Sequence, residues 1–284
     1  MKKIAVVADS NSGYTLEEAK AAGVHFIPMP FYIDEKEYFE GVNLSHEEFF
    51  DFLAKDADVS TSQPSPGSML TLWDELLKSY DEIIYLPMSS GLSSSCATAE
   101  SLSKEFDGRV FVVDNKRISV PLREAIYDAM KLVEQGLDAA EIKRILEEDA
   151  LNASVFIAVS TLKFLKKGGR VTPAAAAIGA ALNIKPVLKL GGGKLDTYAK
   201  VRGMKQAEQK MFEAIREELE RFGPEHCVVR AAYSGDAELG RQWIQKVSEA
   251  FPEYEVYGDP LGLSIACHTG PAAYGIGCVK KLKL

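Results

Sequence analysis

The sequence predicts an α/β protein in two parts. An N-terminal parallel sheet sandwiched by helices is followed by a C-terminal α+β unit with a mixed or antiparallel sheet. Three observations carry this. Up to about residue 150, short β-branched runs alternate with helical patterns, the arrangement that builds a parallel sheet covered on both faces. Beyond it, strand-like runs succeed one another around turn signals, which favours antiparallel pairing. The chain has 284 residues, 46% hydrophobic and 26% charged, so it holds one large or two ordinary globular domains. The change of pattern sets the domains at 1–150 and 151–284.

Residues 3–8 form a compact apolar first strand. Thr15 and Glu18 have the spacing of a capping box, opening a helix that stops before Gly23. Residues 24–33 read as one strand, and Phe31–Ile33 with Glu37–Phe39 as a small hairpin around a polar turn. Ser45 and Glu48 repeat the capping box. Pro66 suits the first position of a helix reaching 69–80. Runs at 83–87 and 110–113 suit central parallel strands, with helices over 94–106, 122–134 and 139–148. In the second part, strands are expected at 154–160, 185–190 and 194–199, the last two joined by Gly191-Gly192-Gly193. The small, wholly apolar stretch 174–182 reads as a helix. A helix over 205–222, a strand at 227–233, a helix over 238–250 and strands at 254–257 and 275–282 complete the chain.

Thirty-three Lys and Arg against 41 Asp and Glu give a net charge of −8. DNA affinity rests on neutralising phosphates, so a nucleic-acid binder is excluded. The charge is uneven. Residues 160–212 hold eleven Lys and Arg and only Asp196 and Glu208 as acids, so this stretch is +9 and the rest −17. A local basic segment suits an anionic head group and a complementary partner surface. The nine apolar residues of 174–182 are too few to span a bilayer, and the five at 4–8 too few for a secretory signal, so a cytoplasmic protein is expected. Cys96, Cys227, Cys267 and Cys278 form no CxxC, which favours buried thiols over a zinc site; no metal or cofactor is expected.

Five hydroxyl- and glycine-rich segments stand at strand ends or helix starts, where open parallel sheets bind ligands. They are Asp9-Ser-Asn-Ser12, Thr61-Ser-Gln-Pro-Ser65, Ser89-Ser-Gly-Leu-Ser93, Leu165-Lys-Lys-Gly-Gly-Arg170 and Cys267-His-Thr-Gly-Pro271. Hydroxyls ahead of a helix hold anionic oxygens, and an arginine beside two glycines aims its guanidinium fork at a carboxylate or phosphate. The third segment is neither a P-loop nor a nucleophile elbow. Capping and tight packing explain any one of these segments equally well.

As an ordered set, together with Asn183-Ile-Lys-Pro186, these motifs resemble the DegV family, which includes the fatty-acid-binding subunits of bacterial fatty acid kinase. The resemblance implies one long-chain fatty acid buried between two α/β domains. It implies carboxylate contacts from Thr61 and Ser93, with Arg170, His268 and Thr269 around the head group. It further implies a separate ATP-dependent kinase subunit, docked near Arg202, that phosphorylates the acyl carboxylate with Arg170 and His268 assisting. The chain itself would be a bacterial, lipid-binding carrier without autonomous catalysis, serving phospholipid synthesis through transient contact with a membrane surface. Two segments depart from the family pattern: Ser94-Ser95 follows Ser-Gly-Leu-Ser, and 115–122 replaces a Ser- and Gly-rich turn. The latter bears on ligand length. Two other readings stay open: a binding or sensing protein for another small carboxylate or polar ligand, and a hydrolase with Ser93 as nucleophile and His268 as base.

Overall fold

The computed structural model describes residues 2–178 and 184–283. The first part of the chain contains β1 (Ile4–Asp9), α1 (Leu16–Ala21), β2 (His25–Ile27), β3 (Pro30–Ile33), β4 (Lys36–Phe39), α2 (His46–Ala54) and β5 (Val59–Thr61). It continues with α3 (Pro66–Leu76), β6 (Glu82–Leu86), α4 (Ser95–Ser103), β7 (Val110–Val112), α5 (Val120–Glu134) and α6 (Ala139–Glu148). A parallel four-stranded sheet runs β2-β1-β6-β7. Every residue of β1 and β6 is buried, because helices cover both faces. Leu122, Ile126, Ile142 and Leu146 of α5 and α6 pack on one face. Met69, Trp73, Cys96 and Ala99 of α3 and α4 pack on the other. Both capping boxes form, at Thr15–Glu18 and Ser45–Glu48, and Ser65 caps α3 ahead of Pro66.

The second part contains β8 (Ala153–Val159), α7 (Lys163–Gly168), α8 (Pro173–Ala176), β9 (Ile184–Leu190), β10 (Asp196–Arg202) and α9 (Met204–Phe222). It ends with β11 (Cys227–Ser234), α10 (Ala237–Ala250), β12 (Tyr257–Pro260), α11 (Leu263–Thr269) and β13 (Ala273–Lys280). Its six-stranded sheet has the order β10-β9-β8-β13-β11-β12, antiparallel except for the parallel β11–β12 edge. Met211, Ile215, Trp243 and Val247 of α9 and α10 cover one face. Ile157, Val159, Leu188 and Ala273 on the other face meet Met29, Met88 and Leu92 from the first part.

Residues 24–33 are two strands, not one. Pro28 and Pro30 interrupt the segment, and proline cannot donate to a ladder. β2 therefore stays in the parallel sheet, while β3 joins β4 and β5 in a separate antiparallel sheet. That small sheet packs Phe31 and Phe49 against Leu263 and Cys267 of α11, so elements from both ends of the chain share one core. The strand expected at 254–257 forms at 257–260 instead, where Gly258 and Pro260 weaken the sequence signal. α7 and α11 are short helices in segments read as loops. The helix expected over 174–182 ends at Ala176, and the segment 179–183, with Asn183 of the Asn-Ile-Lys-Pro motif, lies outside the described residues.

Candidate ligand site

A cavity of about 380 Å³ lies between the two main sheets, within the size range of small-molecule sites. Its polar groups come from six separate segments, four of which supply Thr61, Ser93, Arg170 and the His268–Thr269 pair. Thr61 ends β5, and His268 stands in the last turn of α11. The two meet in a hydrogen bond of 2.9 Å between Thr61 Oγ1 and His268 Nε2. The imidazole packs against Gly168: a Cβ there would fall 1.9 Å from His268 Nδ1, so only glycine admits the ring. Just beyond, Gly169 takes the left-handed conformation (φ 68°) that ends α7 and turns the chain toward Arg170.

Arg170 is half-buried. Its Nε donates to the Leu92 carbonyl (3.1 Å) and its Nη1 to the Gly168 carbonyl. These bonds fix the guanidinium between the 89–93 loop and the end of α7. Ser93, next to Leu92, accepts from the Ser95 backbone N–H at 3.1 Å, which leaves its own proton for a ligand. Thr269 lines the same space and is buried. Thr61, Ser93, Arg170, His268 and Thr269 thus line one cavity.

Burial and the neighbouring Arg170 charge push His268 down to about 4. The imidazole is therefore neutral near pH 7. A protonated His268 as a source of positive charge does not fit this environment. Among the described lining residues Arg170 is the one charged at neutral pH.

Most of the remaining lining is apolar, with Asn11, Ser62, Gln63, Ser94, Ser119 and Ser264 as its further polar members. Met29, Met88, Leu92, Leu261 and Ile265 form one wall. Val155, Ile157, Leu190, Ala232, Gly275 and Gly277 form the sheet floor. The unusual 115–122 segment contributes Ile118, Ser119, Val120 and Pro121, so it does shape the cavity. A buried ion pair holds it in place: Arg117 Nη2 donates to the Asp149 carboxylate (2.7 Å) and carbonyl (2.8 Å).

The Asp9 motif divides into structural and lining parts. The Asp9 carboxylate accepts from the backbone N–H groups of Asn11 (2.9 Å) and Met88 (2.8 Å), tying the loops after β1 and β6 together. Complete burial pushes Asp9 up to about 6. Ser10 Oγ accepts from Met29 N–H at 3.0 Å. Only Asn11 reaches the cavity wall, where its Oδ1 accepts from Ser264 Oγ. Ser264, Met29 and Ile265 carry no motif, and their part in the site depends on long-range packing.

Arg202 is exposed at the end of edge strand β10 and does not line the cavity. The basic stretch is partly neutralised by acids outside it. Lys163 pairs with Asp56, Lys167 with Asp58, and Lys189 and Lys210 with Glu218 and Glu213. The Gly191–Gly193 turn does more than connect strands. A Cβ on Gly91 would lie 2.5 Å from Gly193 Cα, so the hairpin tip seats directly on the 89–93 loop. Ser89 Oγ strengthens that contact by donating to the Gly192 carbonyl at 3.1 Å.

The hydrolase geometry is not formed. The His268 side chain bonds Thr61 rather than Ser93, and no carboxylate orients the ring among the described residues. Among the same residues no His, Cys, Asp or Glu cluster could hold a metal, and no helix is long and apolar enough to cross a membrane. All four cysteines are buried and free.

Three comparisons agree with this architecture. A family model described as "Uncharacterised protein, DegV family" matches residues 3–281. A DegV domain-containing protein of Staphylococcus aureus is 31% identical over 99% of this chain and 100% of its own length. A solved structure on the fatty acid binding of a DegV family protein from Thermus thermophilus superposes with a TM-score of 0.88 at 31% identity, covering 98% of this chain and 99% of that one. DegV from Bacillus subtilis, described as a fatty acid binding protein, gives 0.87 at 27% identity, covering 99% and 100%. Matching along essentially its whole length, the chain belongs to the DegV family.

Proposed function

We propose that this protein binds one long-chain fatty acid in the cavity between its two halves, 1–150 and 151–284, with the carboxylate at the Thr61–Ser93–Arg170–His268–Thr269 cluster. One observation carries the reading: a largely apolar lining meets polar groups among which, in the described residues, Arg170 is the single cation. A buried carboxylate costs several kcal/mol unless it is paired and hydrogen-bonded. Arg170 supplies the charge, and the hydroxyls of Thr61 and Ser93 supply donors, while Thr269, whose hydroxyl donates to the Gly270 carbonyl, lines the site. Neutral His268, donating Nε2–H to Thr61 Oγ1, orients that hydroxyl so that its proton is left for the carboxylate. Each methylene buried contributes about 0.8 kcal/mol, so a long chain outweighs the cost of ordering it. The solved DegV structures described as binding fatty acids support the same ligand class.

The bound carboxylate is the group that a separate ATP-dependent kinase subunit phosphorylates. In that step a carboxylate oxygen attacks the γ-phosphorus, the bond to the β,γ-bridging oxygen breaks, and ADP leaves. Arg170 offsets charge near the head group and His268 positions it, while the surface around Arg202 receives the kinase. The protein acts as a cytoplasmic carrier with no chemistry of its own, supplying acyl phosphate to phospholipid synthesis and meeting the membrane surface only transiently.

Organic extraction of the purified protein followed by mass spectrometry tests the ligand. A stoichiometric fatty acid is the expected result. An empty extract, with no thermal shift on adding C14–C18 acids, overturns it.

A further inference from the structure

The cavity floor carries a pattern that head-group chemistry does not use. β13 lies inside the six-stranded sheet, between β8 and β11. Its side chains alternate between faces. Tyr274, Ile276 and Cys278 pack toward α9 and α10. Ala273 belongs to the opposite face, and so by alternation do Gly275 and Gly277. Gly275 stands between Ile157 and Ala232, and Gly277 between Val155 and Arg230. Two successive cavity-facing positions of an interior strand therefore have no side chain.

Glycine weakens a strand, so it needs a reason. The backbone supplies none, since neither residue lies in the left-handed region. Packing supplies little. A Cβ on Gly275 would meet Ala232 Cβ, the Ala232 carbonyl and the Phe156 carbonyl, each at an ordinary 3.7 Å. On Gly277 it would meet the Ser154 carbonyl oxygen at 3.2 Å, Val155 at 3.4 Å and Pro121 at 3.6 Å, so packing accounts for part of that glycine and Gly275 is the clearer case. By contrast, a Cβ on Gly258 in β12 would strike the Ala231 carbonyl at 2.7 Å, and there the fold does require glycine. What Gly275 faces is the cavity, and none of the polar cluster is among the atoms nearest to it.

We infer that Gly275 and Gly277 are selectivity residues: their missing side chains form a groove in the floor that accepts acyl methylenes and sets the chain length the cavity takes. The inference rests on the fatty-acid reading and deepens it. Each displaced methylene lowers affinity about fourfold, so two lower it on the order of tenfold.

The test is competition binding of C12, C14, C16 and C18 saturated acids to the delipidated full-length protein, as wild type, Gly275→Val and Gly275→Ala. Gly275→Val should bind C18 on the order of tenfold more weakly relative to C12, with C12 affinity retained and two displaced methylenes as the basis. Gly275→Ala should move the same way by less. An unchanged C18-to-C12 ratio in a folded variant, or an equal loss at every length, overturns the inference and leaves the fatty-acid reading intact. A wild type that binds none of the four acids overturns both. If Gly275→Val does not fold, Gly275→Ala decides, because its added carbon meets nothing closer than 3.7 Å.

Discussion

The two large sheets of this protein solve opposite problems. The parallel sheet is packed on both faces by helices, and its two central strands are buried at every position. The six-stranded sheet carries α9 and α10 on one face; its other face is part cavity floor and part core shared with the first part. The difference lies in the side chains. Where the parallel sheet offers Ile83, Ile84, Tyr85 and Leu86 in succession, β13 offers Gly275 and Gly277 toward the cavity. A sheet packed fully on both faces holds the loops still, and a sheet whose second face is only partly filled, with small residues toward the gap, leaves room for a guest.

Truncating equivalent side chains on the two sheets puts this contrast under the greatest load. Ile84→Ala, in the fully packed sheet, should cost about 2–5 kcal/mol in urea unfolding. Ile157→Ala, on the cavity face, should sit at or below about 2 kcal/mol, because less close packing is lost. Equal costs would mean that the cavity face is as tightly packed as the parallel sheet.

The pH dependence of His268 comes next in size. Its folded value is about 4 against an ordinary 6.5. Between these values the unfolded chain binds a proton that the native protein refuses. Stability is therefore at its full level above pH 6.5 and falls as pH drops toward 4, by roughly 3 kcal/mol. Asp9, raised to about 6, acts in the opposite sense, so the comparison must be made against His268→Gln. The wild type should lose stability relative to that variant as pH falls from 6.5 to 4. Parallel profiles would place a solvated imidazole in the cavity wall.

Smaller effects separate the polar wall from the floor. Arg170→Gln removes charge-assisted bonds worth about 1.5–3 kcal/mol and should weaken fatty-acid binding roughly 10- to 100-fold. Unfolding stability should change far less, which a urea titration beside the binding measurement will show. Thr61→Val removes a neutral donor worth about 1 kcal/mol, so a loss of roughly fivefold is expected in the same assay. A larger loss for Thr61→Val than for Arg170→Gln would shift the head-group anchor from the guanidinium to the hydroxyl.

The parallel sheet was the easier half to read. Its strands are continuous apolar runs, and its helices announce themselves through Thr15, Ser45 and Pro66. The site was legible through its motif residues: Thr61, Ser93, Arg170, His268 and Thr269 all line one cavity. Their resemblance to a family ordered them, since capping and tight packing account for each motif equally well. What stayed hidden is what depends on distant packing. Ser264 and Met29 enter the wall only because α11 and the 28–30 segment close over it, and no local pattern marks that. The neutrality of His268 is likewise set by burial and by Arg170, a residue 98 positions away.

A crystal structure of the protein loaded with a C16 acid tests the central claim most directly. The acyl chain should lie along the Gly275–Gly277 floor, with the carboxylate within hydrogen-bonding distance of Thr61 or His268, beside Arg170. A carboxylate anywhere else in the cavity, or an acid bound outside it, would contradict the account.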